Sequence, residues 1–153
     1  MRKITLICVG NLKEKYLTEA VSEYQKRLQK FFDLKIIEIP EYKLKDENEW
    51  QKALNTESEN ILSKIKTKNV CTLCVEGKTL SSEEFADFTK QKTDFGELVF
   101  VIGSSYGISE KVKNISTKIS FGRLTFPHQL MRVIFLEQLY RAGTIIHNVC
   151  YHK

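Results

Sequence analysis

The residues best suited to chemistry lie near the C-terminus, in the stretch 119–132, which has the sequence ISFGRLTFPHQLMR. His128 and Arg132 are four residues apart, so a helix would place both on one face. An imidazole can move a proton near neutral pH, and a guanidinium can stabilise an anion that forms during a reaction. We therefore take His128 and Arg132 as candidate catalytic residues that act on a polar or anionic ligand.

The same stretch predicts the end of a buried strand, a turn at Gly122 and the start of a long apolar helix. Pro127 fits the first helical turn, and Thr125 is a candidate N-cap. The first turn of a helix carries unpaired N–H groups and a partial positive charge, which suit an anionic or polar ligand. We expect the strand end, the turn and the helix start to form a ligand-binding edge of an α/β sheet.

A second candidate segment is Gly-Ser-Ser-Tyr-Gly at 103–107, directly after the apolar run 98–102. Open α/β sheets bind ligands at the carboxyl ends of their strands, and glycines allow the backbone to approach a ligand closely. An ordinary strand-to-helix turn would have the same spacing. The sequence pattern alone does not decide between these two interpretations.

The chain ends in Tyr151, His152 and Lys153. An aromatic ring, an imidazole and a cation can stack on a base and contact a phosphate. A disordered chain end is the simpler interpretation. We retain Tyr151 and His152 as candidate catalytic residues, with His152 as an alternative to His128 for the base.

Two short motifs do not support the function that they suggest. Cys71 and Cys74 form C-x-x-C inside a predicted strand, where residues three apart point to opposite faces, so we expect core thiols. Gly77 and Lys78 look like the end of a phosphate-binding loop, but the earlier glycine would fall at Thr72. The sequence therefore predicts neither a metal site nor a phosphate loop.

Apolar runs alternate with segments of helical periodicity along the whole chain. Strands are expected at 4–9, 34–39, 70–75, 98–102 and 118–121. Helices are expected at 13–30, 49–66, 81–92, from 109, and from 127 onward, with a polar loop at 41–48 and a turn at 76–78. Ser81 and Glu84 have the spacing of a capping box. This alternation predicts one α/β domain, 1–153, with a mostly parallel sheet covered by helices on both faces.

The last helix is apolar on nearly every side. Its apolar residues are Leu130, Met131, Val133, Ile134, Phe135, Leu136, Leu139, Tyr140, Ala142, Ile145 and Ile146. One apolar face of this helix can pack against the sheet of its own chain, and the other apolar faces must be buried against something else. We expect a homodimer, with a fully central helix as the alternative.

Net charge, cysteine count and the length of the apolar runs limit the kinds of protein that this chain can be. The 153 residues carry 24 basic and 19 acidic side chains, a net charge of +5 that is compatible with a polyanionic partner. The four cysteines are too few and too scattered for a disulfide framework. No apolar run approaches the ~18 residues of a membrane span, and we expect a cytoplasmic protein without membrane contact.

Several segments together resemble one known family. They are Val-Phe-Val-Ile-Gly at 99–103, Leu-Thr-Phe-Pro-His at 124–128, Glu-Gln at 137–138 with Tyr-Arg-Ala at 140–142, and Tyr-His-Lys at 151–153. The chain resembles the ribosomal large subunit methyltransferase H family of the SPOUT, or α/β-knot, superfamily over its whole length. The resemblance implies a homodimer in which the C-terminal segment forms a trefoil knot.

The resemblance also implies an activity, namely methyl transfer from S-adenosyl-L-methionine to N3 of a pseudouridine in the helix 69 loop of 23S rRNA, on assembled 70S ribosomes. Matched positions assign the cofactor pocket to Leu73, Gly103, Phe121, Gly122, Arg123, Leu124, Thr125 and Phe126. Arg132 would supply a cation, His128 or His152 a base, and Tyr151 a surface for the uracil-like ring. This chain has Ser104 where the family usually has a second glycine.

Two other functions stay open at this point. A SPOUT methyltransferase could act on another RNA, such as tRNA, and assays on tRNA, free rRNA and ribosomes would separate the two. A non-catalytic ribosome-associated module would keep the fold but would not bind S-adenosyl-L-methionine.

Overall fold

The computed structural model describes residues 1–153 and contains one five-stranded sheet with helices on both faces. The strands are β1 (Arg2–Val9), β2 (Phe32–Ile39), β3 (Val70–Thr79), β4 (Leu98–Ile102) and β5 (Thr117–Ser120). The helices are α1 (Lys15–Leu28), α2 (Trp50–Lys64), α3 (Ser82–Asp94), α4 (Glu110–Asn114) and α5 (His128–Ile146), with a 3₁₀ turn at Glu47–Glu49. All strand pairs are parallel, in the order β2-β1-β4-β3-β5, which confirms the predicted α/β fold.

Strand β4 lies at the centre of the sheet, between β1 and β3. All five of its residues are buried, as expected for the most apolar run in the chain. Its side chains alternate between the two faces. Phe100 and Ile102 enter the larger apolar cluster, and Val99 and Val101 enter the smaller one.

Two sets of helices cover these two faces. Helices α1, α3 and α5 contribute Val21, Phe85 and Phe135 to the larger cluster. Helices α2 and α4 contribute Ile61 and Val112 to the smaller one. Burial on both faces explains why the central strands are apolar throughout instead of alternating with polar residues.

The predicted capping box at the start of α3 is present. The Glu84 N–H donates to Ser81 Oγ at 3.1 Å, and the Ser81 N–H donates to Glu84 Oε2 at 2.8 Å. The two bonds satisfy backbone donors that the helix itself leaves unpaired.

The predicted turn at 76–78 is wrong, because β3 continues through it to Thr79. The pairing of β3 with β5 shifts register between Leu73 and Lys78, both of which pair with Ile119. Gly77 lies inside this irregularity, and a Cβ there would lie 2.5 Å from the carbonyl carbon of Ile119. The absent side chain therefore allows two backbones to approach closely, where sequence spacing suggested a turn.

The predicted start of the last helix also needs correction. Helix α5 begins at His128, Pro127 is its N-cap with an extended ψ of 136°, and no side chain caps it. The Pro127 carbonyl accepts the first helical bond, from the Met131 N–H at 2.8 Å. Thr125 lies two positions before the cap, so it does not serve as the N-cap.

None of the helices combines the length and the apolar character needed to cross a bilayer. The trefoil knot and the homodimer stay predictions.

Candidate functional site

A cavity of about 250 Å³ opens at the carboxyl ends of β3 and β4. Its walls come from residues 73–76 of β3, which lie just past the pairing with β4, from the segment 103–108 after β4, and from the segment 120–131 that runs from the end of β5 into α5. All the predicted cofactor-pocket residues except Arg123 line it: Leu73, Gly103, Phe121, Gly122, Leu124, Thr125 and Phe126. This is the edge of the sheet where ligands bind in open α/β folds.

The glycine segment after β4 forms one wall. A Cβ on Gly103 would lie 2.5 Å from the Gly107 carbonyl oxygen, so only glycine allows this path of the chain. Gly107 has a φ of +85°, and its N–H donates to the Ser104 carbonyl at 2.9 Å. The segment is therefore a tight turn that also lines a cavity, and its role in ligand binding stays a prediction.

The turn after β5 forms a second wall. Gly122 has a φ of +124°, and its N–H donates to Ser120 Oγ at 3.2 Å, while the hydroxyl donates to the Gly122 carbonyl at 2.8 Å. The ring of Phe121 packs edge-on against Phe85, with the centroids 5.3 Å apart. The turn and this aromatic contact fix the main chain at the cavity.

Sequence analysis missed the charged residues of the cavity, Glu76 on β3 and Lys113 on α4, which form an ion pair. The hydrogen bond from Lys113 holds the pKa of Glu76 below its usual value, and the same bond raises the pKa of Lys113. Burial raises the pKa of the nearby Cys74 thiol. The segment Glu-Gly-Lys at 76–78 carries the signal for Glu76, but its spacing suggests a turn or a phosphate loop and not an ion pair with Lys113.

His128 lines the cavity from the first residue of α5. Its Nε2 atom is buried and has no hydrogen-bond partner in the chain. The same atom lies 3.3 Å from the position that a Cβ on Gly10 would take. A buried ring nitrogen without a hydrogen-bond partner is unusual in a folded protein.

Arg132 lies one helical turn further on but does not line the cavity. Its side chain is 2% exposed, and its guanidinium donates to Glu38 Oε2 at 2.7 Å and to the Gly10 carbonyl at 2.8 Å. Arg132 therefore binds the carboxyl ends of β1 and β2. Gly10 is the neighbour that it shares with His128.

Tyr151 packs against the second half of α5. Its hydroxyl donates to Glu137 Oε1 at 3.1 Å, and its ring meets the ring of Tyr140 with the centroids 4.8 Å apart. The guanidinium of Arg141 lies 4.8 Å from the centroid of the Tyr151 ring. Burial, together with the hydrogen bond to Glu137, raises the pKa of the Tyr151 hydroxyl.

His152 bridges α5 and α3. Its Nδ1 lies 3.1 Å from an Arg141 nitrogen, and its Nε2 lies 2.7 Å from Glu83 Oε1. Neither Tyr151 nor His152 lines the cavity of its own chain. Of the four candidate catalytic residues, the single chain thus brings only His128 to the cavity.

Comparison with known proteins gives consistent results. A family model described as "Predicted SPOUT methyltransferase" matches residues 2–152. "Ribosomal RNA large subunit methyltransferase H" from Streptococcus pneumoniae strain CGSP14 is 46% identical over 158 residues, which cover 99% of each chain. The protein of the same name from S. pneumoniae serotype 4 strain TIGR4 gives the same values.

Among solved structures, TrmJ from Z. mobilis ZM4 superposes with a TM-score of 0.48 at 12% identity, covering 94% of this chain and 70% of that one. The family assignment rests on the model and on the full-length relatives. The chain belongs to the SPOUT methyltransferase family and is an enzyme of the methyltransferase class.

Proposed function

We propose that the protein transfers the methyl group of S-adenosyl-L-methionine to N3 of a pseudouridine in the helix 69 loop of 23S rRNA, on assembled ribosomes. The observation that carries this proposal is the cavity at the carboxyl ends of β3 and β4, built by the glycine segment and the turn before α5. The name of the full-length S. pneumoniae relatives supports ribosomal RNA as the substrate class.

The residues of the cavity fit S-adenosyl-L-methionine. Half of the 18 lining residues are hydrophobic, which suits an adenine ring and an aliphatic chain. Its volume of about 250 Å³ is near the lower limit of small-molecule sites, roughly 300 Å³, and its mouth is open. No atom lies within 4 Å of the position that a Cβ on Gly122 would take, so the main chain there can approach a ligand directly. When bound, the cofactor supplies a methyl group that is already activated on a sulfonium.

The protein then has to align the acceptor nitrogen with that methyl group and take up its proton. Alignment alone can contribute several kcal/mol to catalysis, because it replaces an encounter by a preformed geometry. N3 of pseudouridine belongs to an imide and is nucleophilic only after losing its proton, so a base is needed. We assign this role to His128, whose Nε2 has no partner in the chain, with His152 as the alternative.

We assign Arg132 as the source of positive charge that stabilises the resulting anion. Its guanidinium is buried and lies on the same helix as His128, one turn away. Glu38 offsets part of this positive charge. The bonds of Arg132 to Glu38 and to the Gly10 carbonyl also hold the start of α5 against β2 and β1.

We propose that the active enzyme is a homodimer, in which Tyr151 and His152 reach the cavity of the partner. Within one chain they lie against α5 and away from the cavity. Leu124, at the cavity, and Val149, just before the tail, are exposed and apolar. A second copy would cover such residues and bring the tail of each chain to the other.

We further propose that the segment 120–127 takes part in a trefoil knot and that the enzyme acts in the cytoplasm, where ribosomes are found. A knotted path would explain how three distant parts of the chain come to line one cavity. The lining by β3, by 103–108 and by 120–126 agrees with this path.

A methylation assay with labelled S-adenosyl-L-methionine tests the proposal. We expect transfer to ribosomes from a strain that lacks the activity, and much less to free 23S rRNA or to tRNA. Mapping by mass spectrometry should place the label on a helix 69 pseudouridine. Preferential labelling of tRNA would favour the other RNA substrate, and absence of cofactor binding in calorimetry would favour a non-catalytic module.

A further inference from the structure

Glu57 on α2 is a buried carboxylate that takes no part in the functions assigned above. Its side chain is 2% exposed, and it does not line the cavity. It accepts two hydrogen bonds, from Ser104 Oγ at 2.6 Å and from the Tyr42 N–H at 3.0 Å. A buried carboxylate is costly unless such bonds compensate it, so the positions of these two donors are coupled to Glu57.

Ser104 connects this carboxylate to the cavity. It follows Gly103 in the loop 103–107 and itself lines the cavity. A hydroxyl has one proton, and Ser104 donates it to Glu57, so the contact with Tyr106 uses the hydroxyl oxygen as acceptor of the Tyr106 N–H at 3.2 Å. The carboxylate thus sets the orientation of the hydroxyl, and the hydroxyl in turn holds the backbone of the loop.

Tyr42 connects the same carboxylate to a second segment beside the cavity. Its neighbour Glu41 has a carboxylate oxygen 3.6 Å from the position of a Cβ on Gly10, close to where His128 Nε2 lies. Glu57 therefore binds both the loop that forms one wall and the segment that follows β2.

Helix α2 provides a fixed base for this contact. Ala53 and Ile61 lie one turn before and one turn after Glu57, and all three are buried. Ile61 belongs to the same apolar cluster as Ile108, which directly follows the loop and lines the cavity. The carboxylate is thus held by packing on the same side as the loop that it binds.

We propose that Glu57 is a positioning residue for methyl transfer, which through Ser104 fixes the loop 103–107 in the conformation that binds S-adenosyl-L-methionine. The proposal rests on the proposed function in taking this cofactor as the ligand of the cavity. It assigns Glu57 no contact with either substrate.

Calorimetric titration of S-adenosyl-L-methionine into the full-length protein tests this role. The variants are Ser104→Ala, Glu57→Gln and the double variant, with Glu59→Gln as a control because Glu59 is exposed on the same helix. We expect each single variant to raise Kd about tenfold, because the loop must be ordered on binding. The double variant should raise Kd about as much as Glu57→Gln alone, because both act through one contact. Glu59→Gln should bind like the wild type.

Kinetics and amide exchange separate positioning from a loss of folded protein. Positioning predicts a higher KM for the cofactor with kcat at saturation within about twofold, and faster hydrogen exchange at 103–107 in both single variants. Lower kcat at constant KM, or multiplied effects on Kd in the double variant, would overturn this role of Glu57.

If Glu57→Gln does not fold, Ser104→Ala alone decides, since it leaves the carboxylate and its bond to Tyr42 in place. A wild type that binds no cofactor would contradict the proposed function, and exchange at 103–107 would then still decide whether Glu57 positions the loop.

Discussion

Gly10 contacts both candidate residues at the start of α5. Its carbonyl accepts a hydrogen bond from Arg132 at 2.8 Å, and the ring of His128 occupies the side on which a Gly10 side chain would stand. A side chain at this position would meet His128 Nε2 at 3.3 Å, in a backbone with φ +90° that disfavours other residues. The positions of the proposed base and the proposed cation are therefore coupled through one glycine.

Replacing Arg132 by lysine separates its two proposed roles. Lysine keeps the charge but cannot bind Glu38 and the Gly10 carbonyl together as the guanidinium does. We expect the free energy of unfolding, measured in urea, to fall by about 1–2 kcal/mol. This is less than the loss for a fully buried ion pair, because Glu38 is 45% exposed and water screens its charge. Methylation of ribosomes should fall by more than about tenfold, while Kd for the cofactor stays within about twofold.

Glu38→Gln is the matched control for Arg132→Lys, since it weakens the same ion pair and keeps the guanidinium. We expect it to destabilise the fold to a similar degree and to retain most of kcat. Equal kcat in wild type and Arg132→Lys would show that Arg132 acts in stability alone.

Cys74 reports directly on occupancy of the cavity that it lines. Burial raises the pKa of its thiol, so little thiolate forms at neutral pH, and alkylation should be slow there and accelerate as the pH rises. S-adenosyl-L-methionine at ten times its Kd should slow this alkylation by roughly tenfold, measured by mass spectrometry of the peptide. The buried Cys71 should stay unmodified throughout, and equal rates with and without the cofactor would contradict binding in this cavity.

Part of this site was predictable from residue types and part was not. Glycines at 103 and 122, each required by the backbone, marked two walls of the cavity. The partner of Arg132 could not be inferred, because Glu38 lies 94 residues earlier in the chain and meets it only through the fold. Ser104 and Glu57, 47 residues apart, illustrate the same limit.

At the scale of elements, α3 is the helix whose start the sequence defines best. The capping box at Ser81 fixes its first turn, and Glu83 in that turn binds His152 of the tail. The hydrogen bond from His152 lowers the pKa of Glu83. The first turn of α3 thus holds the C-terminal tail as well as its own backbone.

Substitution of Ser81 by alanine tests how much this cap contributes. It removes the acceptor of the Glu84 N–H, so we expect the free energy of unfolding to fall by about 1 kcal/mol, measured by chemical denaturation. Ser81→Asp, which keeps an acceptor, should recover most of that loss. Ser63→Ala, at an exposed helical serine, should change stability by less than about 0.5 kcal/mol. Equal losses at positions 63 and 81 would show that the cap adds nothing specific.

Strand β3 shows why local patterns fail where two backbones touch. Glu-Gly-Lys after an apolar run is typical of a turn, yet the strand passes through it to Thr79. The decisive contact is with the backbone of Ile119 on β5, which no spacing within 70–79 reveals. By contrast, the unbroken apolar run of β4 agrees with its burial on both faces at the centre of the sheet.

At the scale of the whole molecule, the tail and the cavity of one chain lie apart. Tyr151 and His152 are held by Glu137, Arg141 and Glu83, none of which lines the cavity. The proposed role of the tail in catalysis therefore requires either a movement of the tail or a second chain. We propose the second chain.

Mixing two inactive variants distinguishes these possibilities. One variant lacks residues 151–153, and the other carries Gly103→Val, whose side chain would collide with the Gly107 carbonyl and Ile108 and so disrupt the glycine loop. If the tail serves the partner, co-refolded mixtures should recover roughly a quarter of wild-type activity, because half of the dimers are mixed and each has one intact site. If the tail serves its own chain, mixing should restore nothing. Light scattering should show that both variants stay dimeric.

The two outer strands of the sheet determine how copies of this protein can associate. On one side, β2 exposes Asp33, Lys35 and Glu38 along a strand of eight residues, and on the other, β5 has only four residues. Charged or short outer strands disfavour the addition of a strand from a neighbouring molecule. Self-association is thereby directed to helical surfaces, and the folded chain is protected from growing into extended β-aggregates.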